Sequence, residues 1–177
     1  GAGNLLGPEQ HGMILAVGLP LYSQLLEEAI GYMHGETQRG AVPVNITIPL
    51  AAFLPEAYVP PEKLRLKLYK RLAQAAGRDE LAALAAEVRD RFGPLPEPAA
   101  VLFGLAAVRQ RAEALGIVEI GLVGTMLNCR FGKAMEFEPD RLRAHGWRVG
   151  PPNPASLRLP LPAKTGRELL AHLVAKL

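Results

Sequence analysis

The side chains of this chain that could do chemistry are few, and most are badly spaced for it. Asp79, Asp90 and Asp140 are the only aspartates, and none shows the pairing expected of a metal or acid–base site. The four histidines, His11, His34, His145 and His172, are scattered without ligand spacing. A single cysteine, Cys129, excludes an internal disulfide and reads as an inert core thiol within a strand-like stretch. Ser23 and Ser156 lack a nucleophile-elbow context. No G-x-x-x-x-G-K-[ST] loop is present to cradle nucleotide phosphates. One constellation stands apart. Glu80, Ala83, Glu87 and Asp90 recur at three- and four-residue steps and make an acidic stripe without large apolar groups. Its bland reading is a solvated helix face. Its sharper reading is an interface, because two carboxylates three residues apart, Glu87 and Asp90, can meet arginines bidentately.

That stripe must be carried by a helix, and the periodicity predicts two of them between Arg78 and Leu115. Leu81, Leu84, Val88 and Phe92, with Ala85, fall within an arc roughly 100° wide at 3.6 residues per turn. Gly93 is expected to end the first helix, and Pro94, Pro96 and Pro98 forbid its continuation. The second helix is apolar almost all round (Val101, Leu102, Phe103, Leu105, Val108), so it should be buried, with Gly116 as its stop. Upstream, Pro61 opens a helix closed by Gly77. In that helix Leu64, Leu68, Leu72 and Ala75 are expected to face inward. Lys63, Lys67 and Lys70 form an outward basic stripe.

The remaining elements complete an α+β reading: several helices packed on a small, mostly antiparallel sheet, preceded by a loop-helix appendage. Residues 20–33 read as an amphipathic helix, and 35–41 as a glycine-bearing linker. These divide the chain into residues 1–40 and a domain over 41–177. Residues 42–49 read as a short or edge strand, because proline stands at both ends. The stretch 51–60 is expected to be extended before its prolines. IVEIGLVG, TMLNCRFG, WRVG and SLRLPL are predicted strands, KAMEFEP is a candidate, Asp140 to His145 could form a helical turn, and Lys164 to Leu177 reads as a closing helix. Strand order stays open. Nearly half the residues (49%) are apolar, which makes the chain globular, and a net charge of +3 is too small to argue nucleic-acid binding. No apolar run reaches the ~18 residues of a membrane span, so no membrane partner is expected.

Three stretches carry a family resemblance. DRFGPLPEPA, preceded by RLKLYKRLAQA and followed by ALGI, together with GAGNLLGPEQHG at the start, resembles the C-terminal region of the bacterial transcription-repair coupling factors, the Mfd family. The likeness covers roughly Gly1 to Ile120, with the motifs in family order. It implies a parent that is an ATP-dependent double-stranded DNA translocase, displacing stalled RNA polymerase and recruiting nucleotide excision repair in the cytoplasm. It also implies an autoinhibitory role for this domain: docking on the parent's own N-terminal UvrB-like module and masking the surface that recruits UvrA. Carried over by residue, the contact falls on Glu87 and Asp90, while Arg91 departs little from the pattern. The opening loop is similar to the tail of the translocation motif of Mfd and RecG. There Gln10 matches the family's coupling glutamine, although the arginine expected before Gly1 is missing. The chain starts with Gly rather than Met inside a family motif, so it is expected to be a piece of a longer protein. ATP and Mg would belong to the parent's motor, no cofactor to this piece, and no catalysis is expected of it. The alternative, from the residues themselves, is a basic nucleic-acid-binding appendage using Lys63, Lys67 and Lys70. A third is a structural cap on the motor.

Overall fold

A computed structural model of the chain describes residues 44–124, 126–132, 140, 144, 146–152, 155–160 and 170. Gln10, the helix expected over 20–33, the linker, the candidate strand over 133–139 and most of the closing helix lie outside the described residues. Among the described residues, strand β1 (Asn45–Thr47) is followed by three helices: α1 (Glu62–Gln74), α2 (Arg78–Phe92) and α3 (Glu97–Ala114). Strands β2 (Ile117–Val123), β3 (Met126–Phe131), β4 (Arg148–Pro152) and β5 (Ala155–Pro160) come next. The sheet order is β1-β2-β3-β5-β4. Three pairings are antiparallel and one, β1 with β2, is parallel. The fold is α+β, with a mostly antiparallel sheet.

β1 is both short and at the sheet edge, the two outcomes its flanking prolines left open, since a residue without an N–H cannot extend a ladder. Parallel pairing of β1 with β2 demands a long crossover, and the three helices supply it. α3 is the core of the molecule. Along it Val101, Leu102, Phe103, Leu105, Val108 and Ala112 are buried. On β3 every second residue, Leu127, Cys129 and Phe131, is buried too. β2 breaks that alternation. Ile117 and Ile120 are both buried although three apart, and a register shift between Ile117 and Glu119 accounts for it. One extra residue on the bulged strand returns both side chains to the core face. Gly132 stands across from the bulge, where an added Cβ would come within 2.6 Å of Val118 Cγ1.

The stretch 51–60 differs from expectation. Pro55 C=O accepts the N–H groups of Tyr58 and Val59, each at 3.0 Å, so the chain turns here instead of running extended. The proline rule acts on the residue before each proline and leaves Glu56 and Ala57, which follow Pro55, free to bend. The turn sets the Tyr58 ring edge-on to Phe92 at 5.8 Å, and the Tyr58 hydroxyl donates to Gly93 O at 2.7 Å. Tyr58 therefore clamps the corner between α2 and α3.

That corner depends on Gly93, whose φ of 87° and ψ of −170° lie in a region essentially reserved for glycine. Pro98 sits inside the first turn of α3, where its missing N–H leaves nothing unsatisfied. Gly93→Ala should destabilise the protein by about 1–3 kcal/mol through the backbone alone. An added Cβ there meets nothing within 4 Å. Chemical denaturation of the variant checks this, and an unchanged midpoint would contradict it.

Candidate interface on the second helix

The Glu80, Ala83, Glu87 and Asp90 stripe is exposed along its length, opposite the buried Leu81, Leu84 and Val88. Its three carboxylates do different things. Glu80 Oε2 accepts the Ala76 N–H at 2.8 Å, tying the first turn of α2 to the connection from α1, and its charge lies near the positive end of the helix dipole. Glu87 takes a guanidinium from the preceding helix: Arg71 Nη1 lies 2.6 Å from Oε1 and Nη2 lies 2.7 Å from Oε2. Asp90 is exposed and has no ion-pair partner among the described residues.

The Arg71–Glu87 fork changes both groups. Hydrogen bonding to Glu87 raises the pKa of Arg71, and the same bonds hold the Glu87 carboxyl below its usual 4.5. Lys67 and Arg91 add to the depression of Glu87. Because the folded value is lowered, the pair's contribution to stability is present above the unfolded pKa and is lost as pH falls through the folded one. An NMR titration should therefore place the Glu87 midpoint below that of an unpaired glutamate. A midpoint at the ordinary value would show that the fork does not persist in solution. The pair is a solvent-exposed one, 40% and 52% accessible at its two side chains, so its weight in folding is small.

Between α1 and α2 lies an open cleft lined by Leu64, Lys67, Leu68, Arg71, Glu87, Val88, Arg91 and Phe92. Its floor is apolar and its rim mostly basic. Arg91 extends over the Phe92 ring, 5.3 Å from the centroid, and Phe92 itself is half-buried against the core. Lys63, Lys67 and Lys70 are all exposed, as their spacing predicts.

Two features of the site's support escape a reading of the sequence. Arg71 carries no local mark of its partner, which stands 16 positions away on another helix. Arg109 is only 5% exposed. It donates to Glu113 Oε1 at 2.8 Å and to Ala73 O at 3.3 Å, while Gln110 donates to Ala75 O at 2.8 Å. These donors satisfy carbonyls at the end of α1, which no helical N–H reaches. The available signal was an arginine and a glutamine, Arg109 and Gln110, directly after the apolar run from Val101 to Val108.

No group of three or more His, Cys, Asp or Glu able to hold a metal occurs among the described residues. Among the same residues no helix is long and apolar enough to cross a membrane. Cys129 is buried, and desolvation pushes its thiol up to about 12, which leaves it unreactive near neutral pH. α2 presents an exposed carboxylate without an ion-pair partner among the described residues, a second one shared with Arg71, and a cleft with a mostly basic rim beside them.

Comparison with known proteins places this geometry. A family model for the TRCF domain matches residues 48–142, a span that contains all three helices. The transcription-repair-coupling factor of Myxococcus xanthus is 43% identical over 97 residues, covering 55% of this chain and 8% of that protein. Its Escherichia coli counterpart is 37% identical over 122 residues (66% and 11%), and that of Staphylococcus aureus USA300 is 35% identical over 130 (72% and 11%). The chain spans roughly a tenth of the length of these relatives. A solved crystal structure of the C-terminal domain of transcription-repair coupling factor matches with a TM-score of 0.67 over 76% of this chain and 89% of that one. At 20% identity that likeness shows the fold. By the family-model match over more than half its residues, the chain belongs to the TRCF domain family, with transcription-repair-coupling factors as its relatives.

Proposed function

We propose that this chain is the regulatory C-terminal end of a transcription-repair coupling factor and that its role is autoinhibition. The parent would be an ATP-driven translocase on double-stranded DNA that removes stalled RNA polymerase and recruits excision repair in the cytoplasm. ATP and Mg would be bound by its motor, with Gln10 the remnant of the motor's coupling loop in residues 1–40. The domain over 41–177 docks on the parent's N-terminal UvrB-like module and hides the surface that UvrA would take.

The observation that carries this reading is the exposed face of α2, where Asp90 stands without a partner among the described residues, one turn from Glu87. A solvated carboxylate left uncommitted beside a second one suits capture of arginines, whose planar fork matches a carboxylate in two bonds. Membership of the TRCF domain family supports placing that capture within the parent. Docking would exclude water from the charges, and desolvated charge pairs across an interface contribute far more than exposed ones. The nucleic-acid reading has weaker support, because Lys67 of its basic stripe lies in the cleft beside Glu87. The experiment that tests the docking reading is joint replacement of Glu87 and Asp90 by alanine in the full-length parent, read as UvrA capture.

A further inference from the structure

The two carboxylates of the proposed interface are unequal. Arg71 donates one N–H to each oxygen of Glu87, in the fork geometry that a guanidinium adopts toward a carboxylate. Arg71 comes from the last turn of α1 and Glu87 from α2, so the bond spans the cleft between the helices. Two further cations, Lys67 and Arg91, line the same cleft and act on the same carboxylate. An arginine arriving from a partner thus meets three positive charges around one negative one. At Asp90 no ion pair stands in its way among the described residues.

We propose that Arg71 is a built-in competitor for Glu87, holding that carboxylate so that docking of an arginine-bearing partner on α2 stays weak enough to reverse. The proposal rests on the docking reading above and adds its regulation. An ionised carboxylate offers about four lone-pair sites, and Arg71 occupies two of them. A second guanidinium has two routes. It can use the remaining sites, placing two like charges on either side of one anion. Or it can displace Arg71 and break two short bonds before making its own. Both routes subtract from docking at Glu87 and neither applies at Asp90. Asp90 therefore anchors the contact, while the Arg71–Glu87 fork sets how readily it lets go.

The test uses the full-length parent with Arg71→Gln, which removes the competing charge and leaves Glu87 open. Self-docking should tighten, and UvrA capture should fall on the order of two- to fivefold, the range expected for one exposed charge pair. Arg71→Lys keeps the charge but not the fork, and should fall between the two. In this chain the NMR titration midpoint of Glu87 should rise in Arg71→Gln, a readout that a merely structural arginine away from the carboxylate would not move. The Glu87→Ala, Asp90→Ala variant in the same assay separates this proposal from the reading beneath it. If that variant raises UvrA capture while Arg71→Gln leaves it unchanged or raises it, competition is overturned and docking stands. If neither variant changes capture, the docking reading fails and the competition falls with it.

Discussion

Full-length parent carrying Glu87→Ala together with Asp90→Ala should capture UvrA on the order of tenfold more readily and hydrolyse ATP faster. Both side chains project from the exposed face of α2, away from Leu81, Leu84 and Val88, so neither substitution opens the core. Folding loses one exposed ion pair, Arg71 with Glu87, and exposed pairs contribute little. In the proposed docking contact both carboxylates would be desolvated against arginines, so their removal would cost that contact far more. The disparity makes the experiment decisive. Melting of the isolated chain should be almost unchanged while UvrA capture moves by an order of magnitude. Capture and ATPase at the parent's level would reduce the α2 stripe to a solvated face with one structural ion pair on it.

Leu102→Ala should produce the opposite pattern, with a large loss of stability and no selective effect on docking. Leu102 is fully buried on α3, the helix packed at the centre of the core. Truncating it removes transfer free energy and leaves a cavity whose lining cannot fully collapse, at about 2–5 kcal/mol. For a chain of this size that corresponds to a fall in melting temperature of roughly 4–20 °C. Differential scanning calorimetry checks it. A fall of only a degree or two would mean that α3 does not hold the core. Set beside the α2 double variant, this substitution calibrates how much of any docking defect is mere unfolding.

Much of the helical layer was legible in the sequence because its signals are local. The spacing of Leu81, Leu84 and Val88 gave the buried face of α2 and, by exclusion, the exposed one. Gly93 and Gly116 marked helix ends because both adopt positive φ, where a side chain would be strained. Pro61 preceded α1 as expected, but α1 ends at Gln74, and Gly77, with an extended backbone, stands instead as the N-cap of α2. The brevity of β1 agrees with the prolines on either side of it. The stretch after Pro55 turns where its sequence suggests extension, because a proline restrains the residue before it and says little about those behind it.

Among the described residues, the sequence by itself located the three helices and most of the strands, and it gave the apolar face of each helix except the all-round apolar α3. Those properties depend on periods of two to four residues and on the φ limits of glycine and proline, all contained in a short window. It also determined that Glu87 and Asp90 share a face. What tertiary structure alone decided is what each carboxylate is doing there. Glu80 turns back to a backbone N–H, Glu87 is held by Arg71, and Asp90 is left open. Likewise the burial of Arg109 depends on Ala73, 36 positions earlier, and the two inward isoleucines of β2 depend on a bulge opposite β3. A side chain's partner is set by how separate elements pack, and packing is a property of the whole core, which no local pattern encodes.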